Sequence, residues 1–342
     1  MHQRSPETMS TIEAAATDLA RLAESGRGIF LEHPDAEALS RYVTNLLIPP
    51  LQTAVREVSA TVLQSHRVRD LGVEPQGEPG IRYAPVIHYT SVRTAFILLR
   101  GSLKKKPKAS LRLYDSEHTN DPQEGSFLFE ALDLPARHRW AAAITPSHAY
   151  LTSFLASRGQ EELNDNLNFW RSYGRDGQGC SLKVWIPEEM LRRVLYGPEA
   201  VVRLRTDLLR LLDAVAPIAD LGEGAQRVLR ATLWEELGGI RYLYKHIAYS
   251  DENECRIVFP REDIDEGNVR FDPRTRPDSL RRYYEHPDLL VTKLFRWSGS
   301  SITIGPDTPH KEDLRYSFEL IKRRAKLHGL EIKTSRIPYR SI

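Results

Sequence analysis

Apolar side chains in residues 1–75 recur at three- and four-residue intervals, the signature of helices with one buried face. Ile12, Ala16, Leu19 and Ala23 fall on one such face. Ser10-Thr-Ile-Glu13 matches a capping box, in which serine and glutamate satisfy the free amides of a helix start, and Gly26 is expected to end the helix. A second helical stretch is predicted from Asp35, interrupted at Pro49-Pro50 and resumed through Val55, Val58, Val62 and Leu63. The stretch GVEPQGEPG (72–80) has the glycine and proline density of a linker. A helical region over 1–78 and a second unit over 79–342 follow from it.

From Tyr83 the pattern shortens. YAPVIHYTS reads as a strand, VRTAFILLRGSL as a helix closed by Gly101, LRLYDSE as a short strand and AYLTSFL as another. LNDNLNFWRSYG reads as a short helix whose trailing glycines turn into the strand CSLKVWI. Leucine, arginine and alanine at helical spacing predict a helical insertion over about 187–247. DENECRIVF is then a strand, 260–285 a polar loop, LFRWSGSSITIGP a strand, EDLRYSFELIKRRAKLHG a helix and LEIKTSRI a last strand. Strands and helices interspersed without a repeating βαβ period predict an α+β fold.

Composition narrows the function classes. The 342 residues carry 48 basic and 46 acidic side chains, a net charge of +2 that demands no polyanionic partner. Cys180 and Cys255 each sit in strand-like apolar runs and read as core residues of a cytosolic protein. No apolar run reaches the ~18 residues of a membrane span, and the first residues lack the apolar core of a secretory signal. Walker-type and dinucleotide glycine loops, HExxH, paired CxxC and GxSxG are all absent from the sequence.

Four polar clusters remain. On a strand, Glu252, Glu254 and Arg256 share one face and Cys255, Ile257 and Phe259 the other. The charged face is either the solvated side of an edge strand, with Glu254 paired to a nearby arginine, or the lining of a site. His88 and Thr90, on one face of the first strand, are structural hydrogen-bonding groups or ligand contacts. Alternation separates Thr152 from Ser153 in the central strand, so one of the two is expected to be buried. Trp170 and Tyr173 lie three apart on a short helix, Trp170 as core and Tyr173 as core or site lining. Asn120-Asp121-Pro122 is turn chemistry. The lysines of 104–108 and Lys322-Arg323-Arg324 are solvated faces or, with a nucleic-acid partner, phosphate contacts.

A histidine early, a polar strand centrally and an E-x-E late resemble the ADP-ribosyltransferase superfamily. The blocks HYTS, NDPQE, LTSF, FWRSYG…GQGCSLKVW and ENECRIVF, in that order from Tyr83 to Ile342, also resemble a bacterial family known as a domain of unknown function. The resemblance implies a split β-sheet core flanked by the helical region and insertion, with NAD as substrate. Glu254 would stabilise the oxocarbenium-like cation formed as the nicotinamide–ribose bond breaks, and Glu252 would orient or deprotonate the acceptor. His88 and Thr90 would hydrogen-bond the adenosine ribose or the nicotinamide amide, and Tyr89, Tyr173 or Trp170 would stack on the nicotinamide. Asn120, Asp121, Thr152 and Ser153 would complete the pocket. The acceptor would be a protein, a nucleic acid or a small molecule, and the chain a bacterial toxin or defence effector with an antitoxin or activator. An NAD glycohydrolase, or a non-catalytic nucleotide- or partner-binding module, fits the same blocks.

Overall fold

The computed structural model describes residues 6–32, 35–68, 81–103, 109–118, 125–142, 149–157, 161–260, 263–272 and 281–339. The linker 72–80, Lys104–Lys108, Asn120 and Asp121 lie outside the described residues.

The helices are α1 (Pro6–Glu32), α2 (Ala36–Tyr42), α3 (Ile48–Ser65), α4 (Val92–Gly101), α5 (Phe127–Leu132), α6 (Leu167–Ser172), α7 (Val202–Ala219), α8 (Glu223–Leu237), α9 (Val291–Leu294) and α10 (Lys311–Ala325). The strands are β1 (Tyr83–Thr90), β2 (Leu113–Asp115), β3 (Ala149–Ala156), β4 (Cys180–Pro187), β5 (Arg192–Arg193), β6 (Leu195–Tyr196), β7 (Tyr244–Lys245), β8 (Glu254–Pro260), β9 (Val269–Asp272), β10 (Arg281–Tyr284), β11 (Arg296–Ile304) and β12 (Glu331–Thr334). The fold is α+β.

The first helices depart from their sequence signals. α1 already runs through Ser10, so the S-T-I-E box lies inside the helix and not at its start. Gly26 does not stop α1 either. A Cβ built there would stand 2.6 Å from the Tyr42 ring and 3.0 Å from Ile218, so the glycine serves close packing against α2 and α7. Pro49 and Pro50 do not break the second stretch. They occupy the first turn of α3, where a missing N–H costs nothing, and the π-helical turn Val43–Leu47 before them absorbs the change in winding.

The N-terminal helices do not form a layer of their own. α1 lies along α7 and α3 along α8. Ile12, Leu19, Leu51 and Val55 share one core with Leu204, Leu208, Leu211 and Val215 of the insertion. The insertion itself supplies two long helices, α7 and α8, between the short strands β5–β6 and β7.

The main sheet runs β12-β11-β4-β1-β3-β2-β10-β9 and is forked at β3. One edge of β3 carries β8 along its length, Ala149↔Pro260 to Leu155↔Glu254. The other edge is shared, with β1 pairing at Leu155 and Ala156 and β2 at Tyr150 and Leu151. Strands β9 and β10 lie within the stretch expected to be a polar loop. There Tyr283 and Tyr284 pair with Tyr114 and Leu113, a partnership with β2 that no local pattern announces. The back of the sheet packs on α4, α9 and α10 through Leu98, Leu99, Leu294, Phe318 and Ile321. The front is crossed by the segment 161–172, which packs Phe169 and Trp170 on Ile87, Tyr89 and Leu155.

Candidate functional site

Directly paired strand residues project to the same side of a sheet, so the registers assign every strand candidate to a face. Ile87 pairs with Leu155 and Leu155 with Glu254, while Ser153 pairs with Arg256. Ile87, Tyr89, Ser153, Leu155, Glu254 and Arg256 therefore face the front. His88 pairs with Leu182, Thr90 with Cys180 and Thr152 with Ile257, all facing the back. The His88 ring packs on Phe154, and its Nδ1 stands 3.1 Å from the Ser153 carbonyl. Burial lowers its pKa against the opposing effect of that hydrogen bond. A pocket gathering His88 and Glu254 would have to pass through the sheet, so His88 and Thr90 have no place beside the glutamates.

Two front-face aromatic candidates build the floor instead of lining a pocket. Trp170 is fully buried and donates Nε1–H to Asp165 Oδ1 at 2.8 Å. The Tyr89 hydroxyl donates to the Leu163 carbonyl at 2.7 Å and accepts from Asn166 N–H at 3.1 Å. Its ring meets Trp170 edge-on at 4.8 Å. Together they fasten the segment 161–172 to the sheet. Thr152 is buried at the back, as the alternation required of one member of its pair.

Glu252, Glu254 and Tyr173 do come together, with a geometry the strand rule did not anticipate. β8 begins at Glu254; Glu252 ends a 3-10 turn, and Asn253 between them is left-handed at φ 41°. Asparagine tolerates that conformation, and its side-chain N–H2 secures the kink on the Ala156 carbonyl at 3.0 Å. Arg256 grips Glu254 with both prongs, Nε to Oε1 at 2.7 Å and Nη2 to Oε2 at 2.9 Å. Lys245 Nζ adds 2.8 Å to the same Oε2 and 2.9 Å to Glu252 Oε2. The Tyr173 hydroxyl donates to the other oxygen of Glu252.

Burial, the largest influence on the Glu254 carboxyl, raises its pKa; the charges and hydrogen bonds of Arg256 and Lys245 override it and hold the group at about 2. Glu254 is 3% exposed as a residue and both its carboxylate oxygens are engaged, so it cannot receive a ligand hydroxyl without giving up a charge-assisted bond. Glu252 and the exposed Tyr173 form the outward end of the cluster.

A separate opening on this face lies at the β12 edge. It is a cleft of about 420 Å³ whose lining includes Lys183, Arg315, Lys333 and Arg336. Ser301 and Thr303 of β11 and Asn164 of the crossing segment complete its polar wall. Its carboxylate, Asp165, is committed internally, accepting Trp170 Nε1–H, the Ser335 hydroxyl at 2.6 Å and the Arg336 N–H at 2.9 Å. Lys333 leans on Glu331 at 2.6 Å and Arg315 on Glu312 at 3.5 Å, both at the solvent margin. Lys183 forms no ion pair within 4 Å among the described residues, and its charge reaches only as far as helping to lower the Glu331 pKa.

None of these cleft residues was singled out by motif. The available signal was alternation: Ser181 and Lys183 in CSLKVW, and Ser301 and Thr303 in SSITI, each place polar groups on one side of a strand otherwise apolar. Among the described residues, no group of His, Cys, Asp and Glu is arranged to hold a metal ion. No described helix is long and apolar enough to cross a membrane. No protein-family model, curated protein or solved structure matches this chain, so the resemblance rests on its sequence blocks alone.

Proposed function

We propose that this protein binds an anionic, nucleotide-sized ligand in the cleft at the β12 edge of the sheet. The observation that carries this reading is the convergence of Lys183, Arg315, Lys333 and Arg336 on one opening whose carboxylate is spoken for. A chain with a net charge of only +2 has gathered four cations there. A concave site between low-dielectric walls strengthens the field of such a group. Its volume falls in the range of ~300–1,000 Å³ of small-ligand sites, and guanidinium and ammonium groups together suit phosphate oxygens.

A second reading is ADP-ribosyl transfer from NAD⁺ on an ADP-ribosyltransferase-like core. The contact between Tyr173 and Glu252, far apart in the chain and on the same face as the cleft, favours it, and the fork at β3 is compatible with it. In that reading Glu252 meets the developing ribose cation and Glu254 supports Lys245. Water in place of an acceptor gives NAD glycohydrolysis.

One set of samples tests both. Calorimetric titration with ADP, NAD⁺ and adenosine is expected to show binding of the two phosphate-bearing ligands, weakening as salt rises, and at least tenfold loss in Lys183→Met. Equal binding of adenosine, or none of any ligand, overturns the first reading. Nicotinamide released by the wild type and not by Glu252→Gln would establish the second; no release leaves the protein a binding module.

A further inference from the structure

Asn164 sits at the back of the cleft, 8% exposed, with its carboxamide engaged on three sides. Its oxygen accepts the Ser181 hydroxyl proton at 2.6 Å, and its NH2 group donates to Ser301 Oγ at 3.2 Å and Thr303 Oγ1 at 3.0 Å. This polarity decides what the two hydroxyls offer. A hydroxyl that accepts from an amide still has its own proton to place. Ser301 and Thr303 are buried, next-but-one on the front of β11, and donate to no acceptor among the described residues.

Each of these hydroxyls has a lysine opposite it. Lys183 of β4 is the cross-strand partner of Ser301, and Lys333 of β12 that of Thr303. Two O–H groups and two ammonium groups thus stand side by side on three strands, every one a donor; the carboxylate beside them, Glu331 as the β12 partner of Ser301, is taken up by Lys333 at 2.6 Å. A sugar hydroxyl, an amide or a base edge brings donors of its own, which this wall leaves unmatched at a cost. A carboxylate brings two oxygens in one plane. A terminal phosphate brings three acceptor oxygens in a tetrahedron and up to two negative charges.

Building on the anion-binding reading above, we infer that the wall formed by Lys183, Ser301, Thr303 and Lys333 is a cradle for a terminal phosphate group. Asn164 is its positioning residue, turning both hydroxyls into donors toward the ligand. Asn164→Asp, nearly isosteric, reverses the arrangement: its carboxylate draws the hydroxyl protons to itself and places a negative charge behind them.

The experiment is calorimetric titration of the full chain with ADP, inorganic pyrophosphate and adenosine, folding of each variant being checked by its thermal melt. Ser301→Ala and Thr303→Val are each expected to weaken ADP binding about tenfold, the usual worth of a hydrogen bond to a charged group. Thr303→Ser, which keeps the hydroxyl, is expected to bind as the wild type does and serves if Thr303→Val does not fold. Asn164→Asp is expected to lose about a hundredfold, and less in the Ser301→Ala/Thr303→Val background, because residues acting through one another are non-additive. Pyrophosphate binding as tightly as ADP would show that the cradle reads the phosphate alone; tighter ADP binding would add a contact to the nucleoside. If the wild type binds neither, the anion-binding reading itself fails. If the wild type binds both and the hydroxyl variants match it, or Thr303→Ser fails as Thr303→Val does, the cradle is overturned and the cleft reading stands.

Discussion

Glu254 shows how a residue chosen for its type can be claimed by its neighbours. Its pKa, held at about 2 from an ordinary 4.5, means that the folded protein binds a proton there less readily than the unfolded chain. The group therefore contributes stability that is complete above about pH 4.5 and is lost as the pH falls toward 2. The Asp213 and Glu331 carboxyls are also lowered, but their side chains are 53% and 64% exposed, and solvent screening makes such pairs minor. Urea midpoints are expected to fall steeply between pH 5 and pH 3 for the wild type and less steeply for Glu254→Gln, which cannot ionise. Parallel slopes would place the acid sensitivity elsewhere. The E-x-E spelling and the pairing of Glu254 with a nearby arginine were legible in the chain, and Arg256 fills that part; that Lys245 would join them was not, because it reaches Glu254 from a separate strand.

Among the elements, strands and helices were largely legible from their periods: β1, β3, β4, β11, α4 and α10 fall where the pattern places them. The misplaced boundaries share a cause, since local punctuation was overridden by packing. Gly26 is the clearest case. Alanine in a helix is favoured over glycine by about 1 kcal/mol, so an isolated helix would gain from Gly26→Ala. Here the new methyl meets the Tyr42 ring, which is held in place by its hydroxyl on the Leu22 carbonyl at 2.8 Å. Overpacking of this kind costs about 1–3 kcal/mol, which outweighs the gain. Gly26→Ala is therefore expected to lower the melting temperature by a few degrees, and a rise would mean that α2 can yield.

At the scale of the whole molecule, the helices that precede the sheet's strands and those inserted between β6 and β7 form one body. Cutting at the expected boundary near residue 79 would strip α1 and α3 from α7 and α8, exposing Leu204, Leu208, Leu211 and Val215. Re-exposure at roughly 1.5–3 kcal/mol for each side chain approaches the whole ~5–15 kcal/mol by which a domain is stable. A fragment of residues 79–342 is expected to aggregate or to lose its cooperative melt. A sharp transition matching that of the full chain would show the sheet and insertion to be self-sufficient.

Periodicity, a property of neighbours along the chain, determined the α+β class, most elements, the buried state of Trp170, Cys180 and Cys255, and the separation of Thr152 from Ser153. Which face each strand turns to which partner is a matter of register, and register is settled by pairings among residues far apart in sequence. That is why His88 and Glu254, both plausible by type, stand on opposite sides of one sheet. It is also why the cleft went unannounced: Lys183, Ser301, Thr303 and Lys333 come from β4, β11 and β12, each unremarkable in its own segment, and only the sheet sets their donors side by side.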